Sequence, residues 1–383
     1  MYTPLAKIKV VHIVTRMNTG GVAVLISDLV SGLDPNKYDV QLITGKCSPD
    51  EEDYLGARGI ALKEIHIDSM GRSLKPVLDL RALFALIKVL RRLNPDIVHT
   101  HTSKAGLLGR AAAKIAIPHV KIVHTFHGHL LQGYFSKVAT QILVFTERSL
   151  ARISDVLISM GHEVKKNLLD VKIGKENQFQ IAFPGVKLNQ PNLQNQLVKK
   201  FKEECKGQLI FTFVGRLSHI KRCDRVLELA RASAMAEQNI HFLLIGDGEL
   251  REVLERQGSG LQVTFVGWQS RIEDWLAVSD AAILLSDNEA VPLAMIEAGY
   301  AALPVIATNV GSMSDVVIDG VNGYLVETNM HDILKKTLLL SKNPRLRDQL
   351  GSKGRSLAIE HFSVDAMISK HQEIYSQLMG RPS

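Results

Sequence analysis

The sequence contains few cysteines and no long apolar segment. Cysteine occurs at three of the 383 positions, Cys47, Cys205 and Cys223, with no CxxC pair and no Cys/His group at zinc spacing. A disulfide framework and a structural metal are therefore not predicted, and we expect a reducing compartment, the cytoplasm. No apolar run approaches the roughly 20 residues that span a bilayer, and the N-terminal stretch lacks the apolar core of a signal peptide. We expect neither a secreted nor an integral membrane protein.

Low-complexity tracts and fixed-period repeats are also absent from the sequence, which argues against a disordered, collagen-like or solenoid protein. Apolar residues make up 46% of the chain and charged residues 22%, which is the balance of an ordinary globular protein. The length is sufficient for two or three domains.

The net charge of +7 is distributed unevenly along the chain. Residues 1–186 hold 24 basic and 16 acidic side chains, whereas the remainder holds 22 and 23. Residues 81–175 hold 15 basic and 5 acidic side chains, partly in the apolar-basic segments 81–92 and 104–110. A solvated basic face explains this excess, and so does attraction to an anionic membrane surface. Nucleic acid is not an expected partner, because the sequence has no aromatic-basic RNA module and no recognition helix.

Short β-branched runs alternate with helical stretches in both halves, which is typical of parallel sheets with crossover helices. We predict an α/β protein with two Rossmann-like domains that join near residues 182–186. The tail, residues 363–378, is predicted as a helix with no strand after it. The predicted strands are residues 9–14, 38–44, 97–100, 121–125, 156–158, 209–214, 241–245, 281–285 and 303–308. Ligands of such sheets bind at the carboxyl ends of the strands.

Two of the loops at these strand ends suit a phosphorylated ligand. Gly20-Gly21 stands between a strand and a helix, where backbone amides point at any bound anion, although such turns also occur without a phosphate. Gly215-Arg216 follows another strand, with Lys221 five residues after the arginine. An arginine and a lysine together can neutralise a diphosphate, although a surface Arg and Lys near a helix start have the same pattern.

The segment after the predicted strand 281–285 is the most informative part of the sequence. Pro292 stands where a helix is expected to begin, which leaves the next amides free for an anion. Glu289 precedes that helix start and Glu297 lies within the helix, so two carboxylates flank one loop. Carboxylates accept hydrogen bonds from the hydroxyl groups of a sugar. Each glutamate alone also fits an ordinary helix.

Histidines cluster where two strands of the first half end. The runs 99–106 and 124–129 contain His99, His101, His124, His127 and His129. Neither run has a carboxylate or cysteine at ligand spacing, so no metal is predicted. His127, next to a glycine, is expected to hydrogen-bond a substrate hydroxyl or to exchange a proton near neutrality; a buried core histidine is the alternative.

Taken together, these motifs resemble those of the glycosyltransferase family 4 enzymes of the GT-B fold. The resemblance covers essentially the whole chain, and the two glutamates separated by seven residues are its most specific feature. It rests on Gly20-Gly21, the run 101–110, the turn 124–128, Gly215-Arg216 with Lys221, the turn 246–249, Phe265-Val-Gly267, and Glu289 with Glu297.

The resemblance implies two Rossmann-like domains that face a central cleft. Residues 1–183 would bind the acceptor, residues 184–362 would bind a nucleotide-sugar, and the helix 363–383 would return to the first domain. The sequence departs from the family pattern at Ala290 and Ala302, where glycine is common, and at 312–315, where Gly-x-Pro-Glu is usual.

By the same resemblance, Arg216 and Lys221 would grip the diphosphate, helped by the amides of Gly20 and Gly21. Glu297 would bind the ribose, and Glu289 and His127 would bind the transferred sugar. His127, Glu289, Arg216 and Lys221 would thus form the catalytic set. The donor would also be lined by Ala290, Val291, Pro292, Leu293 and Ala294, and its base would lie near Gly246 and Gly267.

The implied activity is a retaining transfer of a hexosyl or N-acetylhexosaminyl group, with a UDP-sugar as the favoured donor. The acceptor would be a glycan or a lipid-linked glycan of cell-surface polysaccharide synthesis, such as capsule or lipopolysaccharide, and no metal or other cofactor is expected. The location would be cytoplasmic, with peripheral attachment to the inner face of the membrane, where Leu130, Leu131, Tyr134 and Phe135 would supply apolar contacts. The alternative is a non-catalytic GT-B subunit that supports a partner enzyme. An NAD-dependent enzyme is disfavoured because no GxGxxG follows the first strand.

Overall fold

A computed structural model describes residues 6–128 and 137–381. The chain divides into two compact units. Unit 1 contains the chain up to Gly185 and the segment from Val364 onward, and unit 2 is Val186–Ser363.

Strands and helices alternate along the described chain. The strands are β1 (Ile8–Ile13), β2 (Tyr38–Lys46), β3 (Glu64–Gly71), β4 (Ile97–His101), β5 (Lys121–Phe126), β6 (Val156–Ser159), β7 (Phe179–Ile181), β8 (Leu209–Val214), β9 (Ile240–Ile245), β10 (Val263–Gly267), β11 (Ala281–Leu284), β12 (Val305–Thr308) and β13 (Gly323–Val326). The helices are α1 (Gly21–Gly32), α2 (Tyr54–Arg58), α3 (Pro76–Leu93), α4 (Ser103–Ala116), α5 (Lys137–Ala151), α6 (His162–Asp170), α7 (Gln196–Glu204), α8 (Cys223–Met235), α9 (Arg251–Gly258), α10 (Ile272–Leu276), α11 (Leu293–Tyr300), α12 (Met330–Lys342), α13 (Pro344–Phe362) and α14 (Val364–Leu378).

Unit 1 is built on a parallel sheet with the strand order β3-β2-β1-β4-β5-β6-β7. The central strand β4 is buried at all five positions, because helices cover both faces of a parallel sheet. One of these faces carries His12, which is paired in register with His99 on the neighbouring strand. The C-terminal helix α14 belongs to this unit and packs against α1. Polar side chains of β1 and β4 are therefore enclosed in the interior of unit 1.

The helix α3 illustrates how the sequence sets the helix ends. Pro76 occupies its first turn, where the missing N–H costs nothing. Asp79 lies in the first turn and Arg91 and Arg92 in the last, so the charges complement the helix dipole at both ends. Asn94 ends the helix in a left-handed conformation.

Unit 2 is built on a second parallel sheet, with the strand order β10-β9-β8-β11-β12-β13. Because β8 lies between β9 and β11, the loops that follow these three strands leave the sheet side by side. The strands β11 and β12 are fully buried and supply the rigid floor beneath those loops.

The two parallel sheets with alternating helices confirm the predicted α/β class. Within the described ranges, no helix combines the length and the apolar character that a membrane span requires.

Candidate functional site

The loops after β8 and β11 place a lysine against a glutamate in unit 2. Lys221 Nζ lies 2.6 Å from Glu289 Oε1. The same carboxylate oxygen accepts a hydrogen bond of 2.6 Å from the Ser286 hydroxyl. Glu289 is only 7% exposed, whereas the lysine side chain is 23% exposed. A buried carboxylate is thus held in one orientation by a cation and a hydroxyl, and the cation remains within reach of solvent.

The main chain of Glu289 is fixed by the loop after β12. The amide of Ser312 donates to the Glu289 carbonyl at 3.0 Å. Gly311 adopts a φ of +54°, and a Cβ at this position would lie 1.8 Å from the same carbonyl oxygen. Only glycine allows this approach. The orientation of Glu289 therefore depends on three loops, of which the loop after β12 was not predicted to contact it.

The helix α11 begins directly after this loop. Its first hydrogen bonds run from the amides of Met295 and Ile296 to the carbonyl of Pro292, so the amides of Leu293 and Ala294 precede the helical ladder. Such amides, together with the helix dipole, favour an anion. The helix start predicted at Pro292 is confirmed, with Pro292 itself in the capping position.

Glu297 lies on α11, about one turn beyond the helix start. Desolvation, and to a smaller extent the Glu273 carboxylate, raise the pKa of Glu297 to about 7. Near neutral pH its carboxyl group is therefore present in both protonation states. In either state it can hydrogen-bond a hydroxyl, as donor when protonated and as acceptor when ionised.

Arg216 follows Gly215 at the end of β8, but its guanidinium does not join the Lys221–Glu289 pair. Its Nε lies 3.3 Å from Glu249, and the side chain is 74% exposed. The structure thus places both predicted cations after the same strand and brings only Lys221 into contact with Glu289. An exposed arginine is free to reorient toward a ligand.

The turns after β9 and β10 require glycine for steric reasons. Gly246 has a φ of +140°, and a Cβ there would lie 1.9 Å from the carbonyl oxygen of Gly215. Its amide donates to the Gly267 carbonyl at 2.8 Å, and Gly267 has a φ of +69°. Gly246 therefore packs directly against the loop that carries Arg216, and Gly267 is hydrogen-bonded to Gly246.

In unit 1, Gly20 and Gly21 form the exposed start of α1. Gly20 caps the helix, and the first turn holds no acidic residue, so its amides are accessible to an anion. A Cβ on Gly20 would meet no heavy atom closer than 3.9 Å. The glycine is thus not required by packing within unit 1.

His127 lies at the end of β5 and belongs to a chain of hydrogen-bonded imidazoles. Its Nε2 lies 3.0 Å from His101 Nδ1, and His101 Nε2 lies 3.0 Å from His12 Nδ1. Its own Nδ1 is buried and has no hydrogen-bond partner among the described residues. Burial, and to a smaller extent His371, lower the pKa of His127 to about 4. The imidazole is therefore neutral at pH 7, which fits hydrogen bonding to a hydroxyl and argues against proton exchange near neutrality.

The C-terminal helix closes this histidine network. Tyr375 on α14 lies 2.6 Å from His99 Nδ1 and 3.5 Å from His12 Nε2. A cavity of about 20 Å³, roughly the room for one water molecule, is lined by His101, His127 and His371 together with apolar side chains. His12, His371 and Tyr375 were missed in the sequence, because their proximity depends on strand order and on α14.

Ring nitrogens of His12, His99 and His101 lie within 4.8 Å of one another, close enough to hold a metal ion. This group was not predictable from the sequence, since His12 is far from the other two along the chain. All three rings take part in hydrogen bonds within the network.

Arg110, which ends one of the resembling runs, is fully buried beside Glu147 at 2.6 Å and joins α4 to α5. His129 and the four apolar residues Leu130, Leu131, Tyr134 and Phe135 lie outside the described residues.

Two family models match consecutive stretches that together make up most of the chain. Residues 19–190 match "Glycosyltransferase Family 4", and residues 195–357 match "Glycosyl transferases group 1". These stretches contain every predicted site residue, from Gly20 to Glu297.

Known proteins are similar over nearly the full length. The UDP-Gal:alpha-D-GlcNAc-diphosphoundecaprenol alpha-1,3-galactosyltransferase of Escherichia coli is 26% identical, over 98% of each chain. The capsular polysaccharide biosynthesis glycosyltransferase CapM of Staphylococcus aureus is 23% identical, over 82% of this chain and 85% of its own. The crystal structure of Anabaena HepE with UDP and glucose matches with a TM-score of 0.76 at 17% identity, over 97% of this chain and all of HepE. The chain therefore belongs to the family 4 glycosyltransferases of the GT-B fold.

Proposed function

We propose that this glycosyltransferase moves a hexosyl or N-acetylhexosaminyl group from a UDP-sugar to a lipid-linked or glycan acceptor, with retention at the anomeric carbon. The observation that carries the proposal is the Lys221–Glu289 pair beside the free amides of α11. It sets a cation and an anion-binding helix end next to a carboxylate that suits a sugar hydroxyl. The E. coli relative, whose name joins UDP-galactose to a diphosphoundecaprenol acceptor, supports this donor and acceptor class.

The proposed chemistry places each charge where the reaction needs it. As the bond between sugar and phosphate breaks, negative charge grows on the leaving diphosphate. Lys221, Arg216 and the amides of Leu293 and Ala294 would stabilise that charge, so that no metal ion is required. The leaving phosphate would take the proton of the acceptor hydroxyl, and Glu289 would position the sugar rather than act as the base.

The remaining predicted residues take supporting roles in this proposal. Glu297 would hold the ribose hydroxyls, and neutral His127 would hydrogen-bond the sugar. Gly20, Gly21 and the segment Ala290 to Ala294 would line the donor, with the base near Gly246 and Gly267. The protein would work in the cytoplasm, at the inner face of the membrane, in cell-surface polysaccharide synthesis.

Thermal unfolding with UDP-, GDP- and ADP-sugars tests the donor. A ligand at 100 times its dissociation constant stabilises the protein by about 2.7 kcal/mol, and we expect this stabilisation with a UDP-sugar. Stabilisation by a GDP- or ADP-sugar alone would refute the choice of UDP. The anomeric proton coupling of the product, measured by NMR, checks retention, and unchanged turnover in EDTA checks metal independence.

A non-catalytic subunit is the second candidate. Such a subunit would bind the nucleotide-sugar but would transfer its sugar neither to an acceptor nor to water. We favour an active enzyme, because His127, Arg216, Lys221, Glu289 and Glu297 are all present and a non-catalytic copy has no need for the full set.

A further inference from the structure

A continuous series of hydrogen bonds in unit 1 leads from the C-terminal helix to His127. It starts at the Tyr375 hydroxyl on α14, passes through His12 on β1 and His101 on β4, and ends at His127 after β5. The successive atom pairs are 3.5, 3.0 and 3.0 Å apart. We call this series the Tyr375–His127 path. Because each link needs one donor and one acceptor, the direction of one link determines the direction of the next.

The three imidazoles of the path are neutral at pH 7. Burial lowers the pKa of His12 to about 3, that of His127 to about 4, and that of His101 well below its usual value. A neutral imidazole has one N–H donor and one unprotonated acceptor nitrogen. A ring that accepts a hydrogen bond at one nitrogen therefore carries its proton on the other, and this requirement passes from ring to ring.

The Tyr375 hydroxyl sets the direction of the path. Its oxygen lies 2.6 Å from His99 Nδ1 and 3.5 Å from His12 Nε2. A separation of 2.6 Å suits an O–H donor and is shorter than the usual N–H···O bond, so the phenol proton points at His99. Burial raises the pKa of Tyr375, so the phenol keeps this proton. The bond to His12 is weak at 3.5 Å, but the phenol oxygen presents lone pairs there, which attract an N–H and repel an unprotonated nitrogen. His12 therefore carries its proton on Nε2.

The remaining links follow from the proton on His12. His12 offers the lone pair of Nδ1, so His101 donates to it from Nε2. His101 Nδ1 then accepts from the Nε2–H of His127. The lone pair of His127 Nδ1 is left at the end of the path, and this buried nitrogen has no hydrogen-bond partner among the described residues. A buried acceptor in this state can be satisfied by a hydroxyl group of a ligand.

Two neighbouring histidines provide references for these assignments. His99 accepts at Nδ1, so it donates from Nε2, and the Thr125 hydroxyl oxygen lies 2.7 Å from that nitrogen as an acceptor. His371 has the opposite tautomer, because its Nδ1 lies 2.8 Å from the Met367 carbonyl oxygen, which can only accept. The path and His99 are thus expected to be protonated on Nε2, and His371 on Nδ1.

We propose that Tyr375 is a positioning residue that fixes the tautomer of His127, so that His127 meets its ligand as a hydrogen-bond acceptor. The ligand atom must then be a donor, such as a sugar hydroxyl, and an ether or phosphate oxygen does not fit. The tautomer follows from unit 1 alone, whereas its use toward the transferred sugar rests on the proposed function. The helix α14 would thereby determine which chemical group His127 can recognise.

Nuclear magnetic resonance of ¹⁵N-histidine-labelled protein, without donor or acceptor, tests the proposal. Protonated and unprotonated ring nitrogens have well-separated ¹⁵N chemical shifts, and replacing each histidine in turn with glutamine assigns the signals. We expect His127 of the unmodified protein to be protonated on Nε2 at pH 7. Tyr375→Phe keeps the ring and removes the hydroxyl, so both directions of the path become possible. The two ¹⁵N shifts of His127 should then move toward their mean.

The matched control is Tyr38→Phe. Tyr38 is buried, its ring centroid lies 6.1 Å from that of Tyr375, and its hydroxyl contacts α14 at Ser376 and at the Gln372 carbonyl, each at 3.2 Å. This variant therefore removes a buried hydroxyl from the same helix contact and leaves the Tyr375–His127 path intact. The ¹⁵N shifts of His127 should be unchanged. Circular dichroism and thermal unfolding confirm that both variants are folded.

Kinetics connect the tautomer with the proposed function. Tyr375→Phe should lower kcat/KM at least about twofold, because the binding-competent tautomer falls to about half of the population. Binding of UDP should be unchanged. In a His127→Gln enzyme, Tyr375→Phe should cause no further loss of kcat/KM, since residues that act through one another are not additive. An equal loss in both backgrounds would assign Tyr375 a structural role only.

Three spectroscopic results would overturn the proposal: a proton on Nδ1 of His127 in the unmodified protein, an unchanged His127 in Tyr375→Phe, or the same change in Tyr38→Phe. Elemental analysis adds a further check, because a metal ion held by His12, His99 and His101 in the purified protein would replace the protons of the path. The predicted tautomers in an enzyme whose kinetics do not respond to His127→Gln would refute the proposed sugar contact and leave the role of Tyr375 standing.

Discussion

At the scale of single residues, the contact between Lys221 and Glu289 decides how the site is charged. The glutamate is almost fully buried and has both the lysine and the Ser286 hydroxyl as partners. A buried charge is tolerable when it is paired and hydrogen-bonded. When a diphosphate approaches, the lysine can be shared between two anions, so the pair couples donor binding to the position of the carboxylate.

Glu289→Gln should separate the positioning of the sugar from the binding of the nucleotide. Glutamine keeps the size of the side chain but removes the charge, so we expect kcat/KM to fall by about a hundredfold, the usual cost of one preorganised polar contact. Binding of UDP itself should persist, because Lys221 remains. Steady-state kinetics and UDP titration measure the two effects.

The matched control is Glu255→Gln, which removes an exposed carboxylate paired with Arg251. A surface ion pair of this kind contributes little to the free energy of folding, so the turnover of the Glu255→Gln enzyme should be unchanged. Near-normal turnover of the Glu289→Gln enzyme would rule out the assigned role of Glu289.

At the scale of elements, what the sequence could predict depends on burial. The strands predicted from apolar runs are the interior strands of both sheets: β1, β2, β4, β5 and β6 in unit 1, and β8, β9, β11 and β12 in unit 2. The strands that were not predicted, β3, β7, β10 and β13, are the four edges. Interior strands are covered on both faces and read as continuous apolar runs. Edge strands such as β3, with the sequence EIHIDSMG, carry polar side chains and lose that signal.

The candidate site was likewise predictable only in part. Lys221, Glu289 and Glu297 were predictable one by one, because each follows a strand or begins a helix. Their support was not predictable, since Ser286 and Gly311 acquire their roles only through the loops beside Glu289. The histidine network was missed for the same reason: it joins three neighbouring strands, β1, β4 and β5, to α14, whose Tyr375 lies 276 residues beyond His99.

Gly311→Ala tests whether the loop after β12 positions Glu289. The new Cβ would meet the Glu289 carbonyl at 1.8 Å, in a left-handed conformation, so the loop must move. We expect turnover to fall at least about tenfold, and the free energy of unfolding to fall by about 1–3 kcal/mol. Gly320→Ala is the control, because Gly320 also has a positive φ but has open space around it.

Kinetics and urea denaturation of the two alanine variants give a clear contrast. Gly320→Ala should cost only the backbone strain, about 1 kcal/mol, and should keep its turnover. Equal turnover in both variants would show that the contact with Gly311 does not orient Glu289.

At the scale of the whole molecule, the two units differ in their buried histidines. Unit 1 encloses His12, His99, His101, His124, His127 and His371, and burial lowers the pKa of every one of them, to about 3 for His12 and about 4 for His371. Among the histidines of unit 2 that the structure describes, only His241 has a lowered pKa. The pH dependence of stability should therefore differ between the units.

Unit 1 should lose stability as the pH falls below about 6.5, the pKa of histidine in an unfolded chain. There the unfolded chain binds protons that the folded unit, with its depressed pKa values, does not bind; the folded pKa is about 3 for His12 and about 4 for His127 and His371, and burial also lowers the pKa values of His99, His101 and His124. His12, His127 and His371 then each contribute up to about 1.4 kcal/mol per pH unit, about 4 kcal/mol per pH unit together, and the other three histidines act in the same direction. This slope is comparable with the whole stability of a domain, so unit 1 should unfold near pH 5 while unit 2 remains folded.

Both tryptophans, Trp268 and Trp275, lie in unit 2, so tryptophan emission reports the unfolding of unit 2. Hydrogen exchange of β1, β4 and β5 reports the unfolding of unit 1. Loss of the native tryptophan emission before loss of exchange protection in β4 would contradict this order of unfolding. His371→Gln should reduce the slope of the unfolding free energy against pH by the contribution of one histidine.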